Sequence, residues 1–243
     1  MLILGIESSS LVASAALLSD EKLIAEYTVN NTLTHSQTLM PMIEAVMKSA
    51  GIEPEELDAI AISRGPGSFT GLRIGSATAK GLGLALDKPL AEVPTLKAMA
   101  YGLFGITDRI ICPIMDARRS EVYSGAYVFR DDKLQTILDE NAGPVDELTG
   151  QLDQIVEGSE GTYSGVIFLG DGVPPYRNII AEKMKAGYSF APGFLSRQRA
   201  ASVAALGMEM FREGKTVPAE EHAPVYLRAS QAEREAGRKQ PGE

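Results

Sequence analysis

Leu2-Ile3-Leu4-Gly5-Ile6, Val12-Ala13-Ser14-Ala15-Ala16-Leu17-Leu18 and Lys22-Leu23-Ile24-Ala25-Glu26-Tyr27-Thr28-Val29 follow one another at the start of the chain. The first two segments are apolar, and the third is more polar. Ser19-Asp20-Glu21 supplies a turn before the third, so three successive strands are predicted. Strands joined by short turns pair as an antiparallel meander. A helix comes next. Asn30–Thr34 provides capping residues, Leu39, Ile43, Val46, Met47 and Ala50 recur at helical spacing, and Gly51 ends it. Asp58–Ser63 is another strand, Gly71–Leu86 another helix, Leu90–Val93 a short strand and Thr95–Leu103 a third helix. A strand reached through a helical crossover lies parallel to its partner. The order β-β-β-α-β-α therefore builds a mixed sheet with helices on its faces.

The order then returns. Ile110–Asp116, Glu121–Phe129 and Lys133–Asp139 read as strands, Val145–Val156 as a helix and Ser164–Leu169 as a strand. Pro174–Ala186 and Arg197–Arg212 read as helices. Each half matches a ribonuclease H-like sheet. The α/β tandem is the architecture of the actin, sugar kinase and Hsp70 superfamily (ASKHA), in which a nucleotide sits between the halves. The expected division is residues 1–103, a smaller unit over 104–229 whose last helix is a candidate to pack back on the first, and a polar tail over 230–243 that frays.

The chain has 243 residues, 44% hydrophobic and 23% charged, which excludes a disordered or fibrous protein. Its net charge of -9 disfavours a stand-alone nucleic-acid binder, because phosphate-backbone affinity draws heavily on a basic surface. One cysteine, Cys112, excludes an intramolecular disulfide and reads as a small buried hydrophobe within an apolar run. Met1–Glu7 lacks the basic start of a signal peptide, and no uncharged run reaches the roughly 20 residues of a membrane span. A soluble, cytoplasmic protein is expected.

Ser63-Arg64-Gly65-Pro66-Gly67-Ser68-Phe69-Thr70-Gly71-Leu72-Arg73 joins a strand to a helix, where free N–H groups can hold an anion. It lacks the lysine of a phosphate-binding P-loop, the third glycine of a dinucleotide fingerprint and the Gly-x-Ser-x-Gly of a nucleophile elbow. A structural turn or partner-contact loop is favoured. Glu7-Ser8-Ser9-Ser10 stands where the ASKHA class places its first phosphate loop. Glu7, Ser8, Ser9, Arg64, Gly65 and Gly67 are accordingly the candidate nucleotide or anion contacts. Gly170-Asp171-Gly172 holds the comparable place in the second half.

Gly71, Gly75, Ala79 and Gly83 fall every fourth residue on one face of a helix, with Ala77, Gly81 and Ala85 in an adjoining row. Interior glycines cost a helix up to about 1 kcal/mol each relative to alanine, so a close neighbour must offset them. One row can serve the sheet and the second a further neighbour, which makes this helix and the preceding one a predicted partner face; the alternative is that both stripes are intramolecular core. Catalytic groups are thin. His35 and His222 lie far apart, so no metal site is expected. Asp116, ending a strand ahead of Arg118 and Arg119, is a candidate cleft residue, with a solvated turn and an ion pair the favoured reading.

Leu4-Gly5-Ile6-Glu7-Ser8-Ser9, Thr34-His35-Ser36-Gln37-Thr38-Leu39-Met40-Pro41, the Ser63–Arg73 stretch, Val93-Pro94-Thr95-Leu96, Asp116-Ala117-Arg118-Arg119-Ser120-Glu121-Val122-Tyr123 and Pro224-Val225-Tyr226-Leu227-Arg228 together resemble the bacterial TsaB (YeaZ) family. The resemblance spans most of the chain and implies an ASKHA pair of subdomains. It implies a non-catalytic role in forming N6-threonylcarbamoyladenosine at position 37 of tRNAs that read codons beginning with A. The transfer itself belongs to the paralogue TsaD, and the ATPase TsaE joins the assembly. The family's two N-terminal-domain helices dock on TsaD, or on a second copy of the chain when TsaD is absent. On this sequence the docking set is His35, Leu39, Met40, Ile43, Met47, Leu72, Gly75, Ala79 and Gly83. Contact with tRNA is expected only through the complex. No cofactor of its own is expected, and ATP or ADP with Mg²⁺ at the partner interface stays open.

Two positions depart from the family's common residues: Glu7 stands for Asp and Gln37 for Glu. TsaD-type enzymes carry a metal-binding histidine pair on the first helix, and only His35 is present here. The alternatives are an ATP-binding or ATP-hydrolysing enzyme working in the inter-half cleft, and a peptidase acting on its partner.

Overall fold

The computed structural model describes residues 1–31 and 33–228. β1 (Leu2–Glu7), β2 (Val12–Ser19) and β3 (Leu23–Asn30) form the antiparallel meander. β1 and β2 are buried on both faces, which is why they read as continuous apolar runs, whereas β3 is a half-exposed edge. α1 (His35–Ala50), ended by Gly51 in a left-handed conformation, carries the chain to β4 (Ala59–Gly65), which lies parallel to β1. α2 (Phe69–Leu86) leads to β5 (Leu90–Pro94), parallel to β4, and the sheet order is β3-β2-β1-β4-β5.

α3 (Thr95–Tyr101) crosses to the second half, built from β6 (Ile110–Arg118), β7 (Glu121–Arg130), β8 (Lys133–Pro144), α4 (Val145–Gly158), β9 (Val166–Leu169), α5 (Val173–Lys183) and β10 (Tyr188–Phe190). Its order is β8-β7-β6-β9-β10, the plan of the first sheet repeated. The twofold mixed α/β architecture expected from the element order is present. β10, three residues long, carried too few residues to show a periodicity.

Alternating residues of β1 and β4 face opposite sides. Leu4, Ile6, Ile60 and Ile62 meet α1 and α2, while Ile3, Ala59 and Ala61 meet α6 (Ala200–Arg212). The last helix of the chain therefore lies on the first sheet. Residues 217–228 follow it there: Val217 bridges Leu90, and the Val225 N–H donates to the Arg64 carbonyl at 2.7 Å. This returning segment packs on the first half, and its end reaches the second, where Arg228 pairs with Glu121 at 2.5 Å. A tail over 230–243 falls outside the described residues. A further core joins the halves, with Leu96, Met99 and Leu103 packed against Ile111, Met115, Tyr127, Phe129 and Leu169. Each such large side chain, fully buried, contributes roughly 1.5–3 kcal/mol before conformational entropy is counted. No described helix is long and apolar enough to cross a membrane.

Candidate partner face and inter-lobe cleft

Ser68 caps α2, its hydroxyl accepting the Gly71 N–H at 3.3 Å. The first turns of α2 then press onto the β1–β2 connection. A Cβ at Gly71 would lie 2.1 Å from the Ser8 carbonyl oxygen, and one at Gly75 would lie 2.1 Å from Ser8 Oγ. The row Gly71, Gly75, Ala79 and Gly83 is buried inside the chain.

Most of the predicted docking set is therefore corrected. Leu39, Ile43, Met47, Leu72, Gly75, Ala79 and Gly83 are buried core, His35 is half-buried, and Met40 alone of the set is exposed, at 48%. The physical reason is that small residues announce a close neighbour without naming it, and here the neighbours of α2 are β1, β4 and the returning segment. The Leu39, Ile43 and Met47 spacing is likewise the inward stripe of α1.

The adjoining row behaves differently. Ala77, Gly81 and Ala85 are exposed, Leu84 is 58% exposed, and nothing lies within 4 Å of the place a Gly81 Cβ would occupy. α1 packs beside α2 and contributes Met40, with exposed Gln37 and Glu44 on the same helix. An outward apolar surface of small and large residues thus remains on this helix pair.

The candidate nucleotide residues do not converge. Glu7 and Ser8 are buried: Glu7 accepts the Ser9 N–H at 2.6 Å, and Ser8 Oγ donates to the Gly71 carbonyl at 2.9 Å. The Ser68 N–H donates to the Ser9 carbonyl at 2.6 Å. Ser9 and Gly67 line a cleft of about 380 Å³ between the halves, with Asp116, Asp171, Phe69 and Tyr226. Arg64 and Gly65 line a separate groove.

Burial, above all, pushes the Glu7 and Asp171 carboxyls above the usual carboxylate range. A polyphosphate needs free N–H donors and cations. Here the Ser9 and Ser68 amides are turned to the Glu7 carboxylate and the Ser9 carbonyl, and the cleft is lined by Asp116 and Asp171 together with Arg118 and Arg228. Glu7 and Ser8, buried and bonded within the chain, offer no free group to a nucleotide in this cleft.

Asp116 accepts the Tyr176 hydroxyl at 2.9 Å and the Arg118 N–H at 2.8 Å, which holds the β6–β7 turn. His222 Nδ1 meets Glu92 at 2.6 Å, and among the described residues no serine hydroxyl bonds either histidine. Cys112 is fully buried, and its thiol pKa is pushed up by that burial.

Sequence reasoning missed the role of the returning segment. Lys80 Nζ donates to the carbonyls of Glu220 and His222 at 2.9 and 3.1 Å, and the Tyr226 ring lies 4.9 Å from that of Phe69. The Pro224–Arg228 motif was its available signal.

Residues 22–236 match the family model described as TsaD, tRNA N6-adenosine threonylcarbamoyltransferase. The chain is 30% identical over 234 residues to the tRNA threonylcarbamoyladenosine biosynthesis protein TsaB of Bacillus subtilis (strain 168), covering 96% of each. It is 32% identical over 231 residues to the protein of the same name from Escherichia coli (strain K12), covering 94% of this chain and 95% of that one. The chain belongs to the TsaB (YeaZ) family, within the wider TsaD type.

YeaZ from Pseudomonas aeruginosa superposes with a TM-score of 0.75 at 27% identity, covering 93% of this chain and 99% of that one. The TsaB resemblance read from the motifs and the tandem fold both hold. Of the two departures from TsaB residues, Glu7 is absorbed into the core and Gln37 is exposed on α1.

Proposed function

We propose that the chain is a non-catalytic subunit that binds and activates a TsaD-type transferase in forming N6-threonylcarbamoyladenosine at position 37 of tRNAs reading codons that begin with A. The observation that carries this reading is the outward face of α1 and α2. Its residues Met40, Ala77, Gly81, Leu84 and Ala85 are apolar and exposed on helices whose other faces are already core. The names of the relatives support the pathway. The protein acts in the cytoplasm, where its substrate tRNA is made and modified. TsaE joins the same assembly, and without its partner the chain pairs with a second copy through the same face. ATP or ADP with Mg²⁺ belongs to the partner interface rather than to the inter-lobe cleft.

The test is Gly81→Trp. A bulky ring at that open position should abolish association with a TsaD homologue while the circular dichroism spectrum and Tm stay those of the parent. Undiminished association in a titration, with the variant folded, would overturn the docking assignment. Gly75 cannot serve for this purpose, since any side chain there collides with Ser8. Calorimetry of the purified chain with ATP-Mg²⁺ should show no binding, and tight binding with turnover would reinstate the enzyme reading.

A further inference from the structure

On the face of the first sheet opposite α1 and α2, a groove of about 490 Å³ runs along α6 to the seam between the halves. It continues through Arg64, Pro94 and Lys97 into a second groove of about 390 Å³. Five cations line the first groove, in a chain whose net charge is -9. Its acids are already engaged: Glu92 with His222, Glu209 with the Tyr101 hydroxyl at 2.6 Å, and Glu213 with Lys215 at 2.7 Å. Arg212 is held by Asp20 at 2.5 Å. Arg64, Lys97 and Lys133 remain. Among the described residues none of these three side chains makes a hydrogen bond or an ion pair, although Arg64 and Lys97 stand near Glu140 and Lys97 and Lys133 near Glu213.

We infer that this groove takes the phosphodiester backbone of an RNA, with Arg64, Lys97 and Lys133 as its phosphate contacts. Three features favour a polyanion. The three cations come from β4, α3 and the start of β8, so they are strung across both halves rather than gathered around one point. The N-terminus of α3 borders the groove through Pro94 and Lys97, but its Lys97 N–H is already donated to Glu140 at 3.3 Å, so it is not free to grip a terminal phosphate. It lies on the opposite side from the docking helices, so a partner on α1 and α2 leaves it open. The net negative charge still opposes binding by the chain alone; the cations add to an RNA site that a partner supplies. This inference rests on the proposed role in tRNA modification.

The experiment measures tRNA affinity of the complex of this chain with a TsaD homologue over a series of salt concentrations. Arg64→Ala, Lys97→Ala, Lys133→Ala and the triple variant are compared with the parent, and complex mass is recorded separately for each. Each single variant should lower the slope of log K against log salt by roughly 0.7–1, and the triple by the sum.

An unchanged slope in a triple variant that still assembles overturns this inference and leaves the proposed function standing. If the parent chain does not assemble with the homologue, the proposed function fails and this inference falls with it. Inorganic pyrophosphate is titrated into the free chain as a separate arm. If it shifts the Lys97 and Lys133 amide signals while the RNA slope does not respond to the variants, the site serves a small phosphate and the RNA assignment is rejected.

Discussion

Glu7 ends β1 with its carboxyl fully buried and bonded to the Ser9 N–H. Burial outweighs that bond and raises its pKa above the ordinary 4.5. A raised folded-state value means the folded chain holds the proton more tightly than the unfolded chain does. Stability from this group is therefore complete below the ordinary value and is lost as pH rises through the raised one. Glu7→Gln keeps an acceptor for Ser9 and removes the charge. It should melt above the parent at neutral pH, and the gap should close near pH 4; a variant that melts lower at neutral pH would refute the account. Gly75 illustrates the opposite sensitivity. Gly75→Val drives a branched side chain into Ser8 and should cost about 2 kcal/mol or more in denaturant unfolding, through overpacking against a fixed turn. That these positions must be small was legible in the sequence. Which neighbour demanded it was not, because a stripe records only closeness.

At the scale of elements, the strands and crossover helices were legible because burial pattern and period agree with local propensity in each. β1 and β2 are continuous apolar runs buried on both faces, and α1 keeps its inward stripe at Leu39, Ile43, Val46 and Met47. The returning segment was not legible, since its contacts are irregular and long-range. Val217 pairs with Leu90, His222 with Glu92, and Val225 with Arg64. Its weight can be measured at His222, whose side chain is fully enclosed while Glu92 is about one-fifth exposed. His222→Ala leaves a cavity and a Glu92 carboxylate with only the Ala223 N–H at 3.3 Å as partner, a loss of about 1–3 kcal/mol that should lower Tm by several degrees. A shift below one degree would mean that the segment merely lies on the surface of the first half.

For the whole molecule, the repeated sheet plan suggests two units that melt separately, and the packing argues otherwise. α3 sits in a core drawn from both halves, and α6 returns the chain to the first sheet. Ser10 Oγ donates to Gln198, Arg199 pairs with Glu26, and Arg228 reaches Glu121 in the second half at 2.5 Å. Unfolding either half alone would expose Leu96, Met99, Ile111 and Phe129 together, so a half-folded state loses apolar burial without releasing the whole chain's entropy. The absence of tryptophan makes the test clean. Tyr27→Trp on β3 reports the first half and Phe190→Trp on β10 the second. Urea titrations followed at the two reporters should give one midpoint and one slope, each shifted only by the stability change of its own substitution. Two separate transitions within a single double-reporter chain would show that the seam is a contact between independent lobes and not a shared core.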